Sequence, residues 1–165
     1  MAQTKERDPR QTSAARLAAV QGLYEVEITG ARLDTVFLDF NEKRWRTRSI
    51  YYNIKSKNIE LAEPDKNKFS QILNGVRKNL SQIDNILSSA LENDREIEHL
   101  DALLRGVLRA GIFELFFLKS VPVRVIINEY VDLAQAFYSE NEPSLVNGIL
   151  DSVAKVVRQK EIEGK

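Results

Sequence analysis

The sequence predicts an all-α protein, six or seven helices around one core. Three observations predict it. Apolar residues recur at three- and four-residue spacing along most of the chain. No segment shows sustained alternation of apolar and polar residues beside a turn-paired neighbour. Gly30, Pro64, Pro122 and Pro143 stand between the apolar stripes, where helices stop and start.

Taken in order, the first stripe is Ala15, Ala18, Ala19, Gly22 and Val26, with Leu23 beside it. Thr12 or Ser13 is placed to cap this helix and Gly30 to end it. Leu33, Val36, Phe37 and Phe40 form a shorter second stripe. The tract from Lys43 to Lys57 has no clean period, and Ser49 to Ile54 within it is a candidate short strand without an obvious partner. Pro64-Asp65 then punctuates the chain. Phe69, Ile72, Leu73, Val76, Leu80, Ile83, Leu87 and Leu91 form a third stripe, read as one helix or two. Gly75 inside it costs about 1 kcal/mol relative to alanine, which points to a close packing contact. Leu100, Leu103, Leu104, Val107, Leu108 and Leu115 form the fourth. From Ala110 to Leu118 that helix is apolar nearly all round, so it is central. Pro122 stops it. Ile126, Ile127, Tyr130, Val131, Ala134 and Phe137 form the fifth. Pro143 starts the last helix, with Val146, Ile149, Leu150, Val153 and Val157 inward.

The 165 residues, 43% hydrophobic and 29% charged, suffice for one domain with a real core. The absence of cysteine excludes disulfides, thiolate metal sites and a cysteine nucleophile. Met1 to Arg10 is polar, with no apolar run of the secretory kind. The stretch Val107 to Leu118 is too short to span a bilayer. A cytoplasmic protein without membrane contact is expected. Charge balances at 24 basic and 24 acidic residues but is segregated. Lys43 to Lys57 carries six cations and no acid. Glu92 to Asp101 carries five acids against Arg95. Such tracts hold two different partners or form solvated surfaces.

No catalytic constellation emerges, and neither an enzyme nor a cofactor is expected. His99, the single histidine, lies among carboxylates and reads as a surface residue. No convergent ligand set suggests a metal. No Gly-rich phosphate loop occurs. Binding is better supported. Arg105 and Arg109 are four apart on one helix, a repulsive spacing unless an anion lies between them. That anion is a phosphate or an internal Asp or Glu. On the first helix Arg16, Val20 and Tyr24 form one ridge, with Gln21 beside Tyr24. Arginine, amide and aromatic ring suit single-stranded RNA, unless Tyr24 is buried with its hydroxyl at the rim.

Three blocks carry a family likeness. SAARLAAVQGLYEVE (Ser13 to Glu27) resembles the first helix of NusB-type transcription antitermination proteins. LDALLRGVLRAGIFEL (Leu100 to Leu115) resembles their central helix. VPVRVIINEYVDLAQAFYSENEPSLVNGILDSVA (Val121 to Ala154) resembles their close, with Asn128-Glu129 and Val146-Asn147-Gly148-Ile149-Leu150. The resemblance implies two packed helical bundles forming one domain. It implies a protein that binds the boxA element of nascent RNA, chiefly of ribosomal RNA operons, together with NusE, a small-subunit ribosomal protein. The pair then joins other Nus factors on RNA polymerase and suppresses termination. A monomer and a homodimer are both compatible with it.

Carried over by position, RNA contacts fall on Arg16, Gln21 and Tyr24, on Arg109, and on Ser144 and Leu145. Thr12, Ser13 and Ala14 stand where the family often has arginines, so Arg7 and Arg10 are the nearest cations. The expected RNA-binding set is Arg10, Arg16, Gln21, Tyr24, Arg105, Arg109, Ser144 and Leu145. Asn147-Gly148 is expected to pack rather than bind. The NusE face is expected near the acidic tract and Leu100 to Leu104. The domain is expected over 12–158, between a flexible segment 1–11 and a tail 159–165, with a basic linker over 43–64. That linker carries Trp45, Tyr51 and Tyr52 and is a candidate extension of the RNA surface. Two alternatives remain: an accessory domain of a ribosomal RNA cytosine methyltransferase, and a protein-interaction scaffold without RNA binding.

Overall fold

The computed structural model describes residues 8–42 and 62–164. Residues 1–7 and the basic tract from Lys43 to Lys57, including Ser49 to Ile54, lie outside the described residues. Those described form eight α-helices, one 3-10 turn and no strand. None of the helices is long and apolar enough to cross a membrane.

Helix α1 (Pro9–Thr29) begins a turn earlier than expected. Asp8, not Thr12 or Ser13, is its cap, and its carboxylate accepts from the backbone N–H of Arg10 at 2.9 Å. Pro9 follows directly, where a missing N–H costs nothing. Residues 9–11 therefore belong to the helix. Gly30 ends it at φ 69°, a left-handed conformation that glycine adopts without strain. Ala14, Ala15, Ala18 and Ala19 are buried, and these small side chains let α1 lie close to its neighbours.

Helix α2 (Leu33–Asn41) buries Val36 and Phe40. Phe40 stacks on Phe69 with ring centroids 3.8 Å apart, and Phe37 meets the same ring edge-on. The third stripe is two helices, α3 (Lys66–Lys78) and α4 (Leu80–Ala90). They part at Asn79, whose side-chain amide donates to the carbonyl of Gly75 at 2.8 Å and competes with the helical ladder. Asp65 caps α3 through the N–H of Lys68.

A 3-10 turn (Ile97–His99) leads into α5 (Ala102–Phe117), capped by Asp101. Then follow α6 (Val123–Phe137) and α7 (Glu142–Val157), with Pro143 in the first turn of the latter. A short α8 (Gln159–Glu163) occupies the expected tail. The split at Asn79 settles the third stripe as two helices, the upper of the expected counts, and α8 adds an eighth among the described residues. Helix α5 is the axis of the fold. It packs on α1 and α3, and also on α4, α6 and α7. Eleven of its sixteen residues are buried, as its all-round apolar sequence requires.

Gly75 has the packing reason its position suggests. A Cβ there would lie 2.1 Å from Cζ of Phe113 on α5. Phe113 is itself buried and stacks on Phe117, so it cannot simply swing away. Gly75→Ala gains about 1 kcal/mol of helix propensity, but overpacking costs about 1–3 kcal/mol. A net loss, read as a lower urea midpoint with an unchanged slope, is the expected result.

Candidate nucleic-acid interface

Two of the expected RNA residues, Arg16 and Gln21, are buried. Arg16 is 3% exposed. Its Nε and one terminal nitrogen donate to the carboxylate of Glu114 at 2.7 and 3.0 Å. Its other terminal nitrogen lies 3.4 Å from Glu129. Glu114 is fully buried on α5 and also receives Lys68 and the Tyr130 hydroxyl, the latter at 2.7 Å. Ser13 donates to Glu129 at the rim. Burial pushes the Glu114 carboxyl up, but the Arg16 hydrogen bonds and the charges of Arg16 and Lys68 outweigh it and hold the carboxyl below its usual range. Burial likewise drives the Tyr130 hydroxyl well above its usual value, and the Glu114 charge adds to that. A guanidinium so enclosed has no side left for a phosphate. The expectation for Arg16 is therefore corrected: it is a core cation that fastens α1 to α5 and α6.

Gln21 is also buried, at 3% exposure, and has no base edge to read. Tyr24 is half-buried on the same helix. One turn further, Glu27 settles the question posed by Arg105 and Arg109. Its two carboxylate oxygens bridge them, the contact to Arg109 being 3.0 Å. Arg109 also holds both oxygens of Asp84, at 2.8 and 3.0 Å. Arg105 donates to the carbonyls of Ile97 and Leu100 and so fixes the turn before α5. Internal carboxylates, not a ligand, account for the arginine pair. Both side chains remain 15% exposed.

Arg10 is 69% exposed and pairs with Asp8. Ser144 is exposed and Leu145 half-buried at the start of α7. They line an open depression with Leu91, Glu92, Asn93 and Arg95. The fold thus sets Arg95, the lone cation of the acidic tract, beside them. Asn147 and Gly148 are both exposed, and a Cβ on Gly148 would meet nothing within 4 Å. The expectation that they pack is corrected.

Arg158 was not anticipated. It is 4% exposed, and its guanidinium donates to the carbonyls of Leu115 (2.6 Å), Leu118 (2.8 Å), Val121 (3.1 Å) and Glu114 (3.2 Å). It also meets Glu161 at 2.8 Å, and Glu161 in turn accepts from the N–H of Val123. No sequence spacing announces such backbone contacts. Glu114 did give a signal, as a lone carboxylate inside the apolar run Ala110 to Leu118. A charge there must find partners.

Comparison with known proteins adds the decisive observation. The model of the NusB family matches residues 13–155. The chain belongs to the NusB family. A relative named transcription antitermination protein NusB, from Caulobacter vibrioides, is 40% identical over 146 residues, 88% of this chain and 93% of that protein. Among solved structures, NusB of T. maritima superposes with a TM-score of 0.70 at 27% identity, over 96% of this chain and 99% of that one. A structure of the antitermination factors NusB and NusE in complex with dsRNA matches at a TM-score of 0.67 and 25% identity, over 89% and 98%. The all-helical fold and the order of the three sequence blocks are thus those of the NusB family.

Proposed function

We propose that this chain acts as a NusB-type antitermination factor, binding boxA RNA of ribosomal RNA leaders with NusE and joining the RNA polymerase antitermination complex in the cytoplasm. The observation that carries this reading is the likeness, over 89% of the chain, to a NusB solved with NusE and RNA. In this reading the protein works by binding rather than catalysis, and the two sets of helices sharing α5 are the two bundles of the family.

The surface that fits RNA differs from the residue set read in the sequence. Arg16 and Gln21 serve the core. Tyr24, Ser144 and Leu145 reach the surface, Arg95 joins the last two, Arg10 is exposed in its pair with Asp8, and Arg105 and Arg109 contribute through their exposed edges. The acidic residues Glu92, Asp94, Glu96 and Glu98, all exposed, suit a basic partner such as a ribosomal protein. A gel-shift titration with boxA and scrambled RNA, with and without NusE, tests the proposal. Preference for boxA in the presence of NusE, weakening as salt rises, is expected. Equal binding of both RNAs would overturn it. Tyr24→Ala is expected to cost about 1–3 kcal/mol of RNA affinity if the ring carries a base.

The pairing of Arg16, Arg105 and Arg109 with internal carboxylates favours one competing reading, a scaffold that binds NusE alone. NusE binding that no RNA strengthens would establish that alternative instead.

A further inference from the structure

We propose that the solvent face of α3 is a track for single-stranded RNA, an inference that rests on the RNA-binding reading above. Asn67, Gln71, Asn74 and Lys78 follow one another at four- and three-residue spacing and so share one face of the helix. All four are exposed, as are Lys66 and Arg77. The opposite face, Phe69, Ile72, Leu73 and Val76, is buried against the core. Asn67, Ser70, Gln71 and Asn74 line one shallow, open depression. None of the six exposed side chains has a hydrogen bond or ion pair with another described residue. That sets them apart from Arg16, Arg105 and Arg109, whose charges are already met by carboxylates.

The electrostatics point to an anionic occupant. From Lys66 to Ala90 the sequence contains one carboxylate, Asp84. Both its oxygens are held by Arg109, so no unpaired acid on α3 or α4 repels a phosphate. Lys78 closes the face at its C-terminal end, Lys66 and Arg77 flank it, and three amides lie along it. An amide offers a donor and an acceptor together, which is what a base edge requires. An acidic protein is a poorer fit. The face presents no exposed aromatic or aliphatic side chain to anchor a protein, and its contacts to a strand are to phosphates and base edges without ring stacking. In this role Lys66, Arg77 and Lys78 hold the phosphate backbone, and Asn67, Gln71 and Asn74 select among bases.

The test is a fluorescence-anisotropy titration of the full chain with NusE present. Labelled boxA RNA and a scrambled RNA of equal length are compared at low and moderate salt. Arg77→Glu/Lys78→Glu should weaken both RNAs by roughly tenfold or more at low salt and flatten the salt slope by about two. Gln71→Ala/Asn74→Ala should weaken boxA by roughly tenfold and the scrambled RNA much less. Lys160→Glu, on α8, should change neither. Wild-type preference for boxA with wild-type affinity and salt slope in both α3 variants would overturn the track and leave the RNA-binding reading standing. No boxA preference in the wild type would overturn both. Loss of NusE binding without RNA, with RNA affinity unchanged, would assign the face to protein and overturn the proposal.

Discussion

Glu114→Gln is expected to lower folding stability by about 3–5 kcal/mol, because it leaves buried cations without their counter-charge. Among the described residues, Glu114 is the only carboxylate that both Arg16 and Lys68 reach, and it is fully buried. Glutamine keeps the shape but removes the charge. Arg16 would then have only Glu129, at 3.4 Å and partly solvated. Urea denaturation measures the loss; a cost below about 1 kcal/mol would show the cluster to be loosely held. Removing the charges together separates two explanations. Arg16→Met/Lys68→Met/Glu114→Leu replaces the cluster with apolar volume and should recover most of the loss. The pH dependence follows the same logic. The folded carboxyl titrates below its unfolded value of 4.5. Its contribution is therefore fully present above that pH and disappears as pH falls through the folded value. Wild-type stability should drop across that acid range, and Glu114→Gln should show a shallower drop.

Arg158→Met should be nearly as damaging, at about 3 kcal/mol. The aliphatic stem survives, but four carbonyls within 3.2 Å lose a charged donor. Charged hydrogen bonds contribute about 1.5–3 kcal/mol each in favourable cases, and water replaces some of them. The guanidinium also sits at the C-terminal end of α5, where a cation opposes the negative end of the helix dipole. For a chain of this length the loss corresponds to a fall in Tm of roughly 6–12 °C. Arg158→Lys should restore little, since one ammonium cannot reach carbonyls spread from residue 114 to residue 121. Full recovery in the lysine variant would show that charge alone, not the fork of donors, does the work.

Much of the helical fold could be read from the sequence because burial imposes a 3.6-residue period. The stripe in α5 identifies the central helix, and Gly75 signals a close approach without naming its partner, Phe113. The polar residues were harder. Arg16 lies in α1 where an RNA-facing arginine was expected, yet it points into the core. The carboxylate that draws it inward is 98 residues away. Arg105 and Arg109 need an anion at their spacing, but spacing alone cannot say whether that anion is internal. Glu27 and Asp84 supply it from two other helices. The caps show the same limit at short range. Thr12 and Ser13 have capping chemistry, but Asp8-Pro9 starts the helix earlier and leaves Ser13 free to reach Glu129.

The Arg158 clasp bears on how the protein can change. Its acceptors at residues 114, 115, 118 and 121 are backbone carbonyls, which every amino acid carries. The side chains of Leu118 and Val121 can therefore drift among residues that keep the turn, and the corner between α5 and α6 will persist. The burden falls on a single codon some forty residues downstream. A chain can accumulate many substitutions at that corner and remain folded, yet lose it through one change at a position that shares no motif with it.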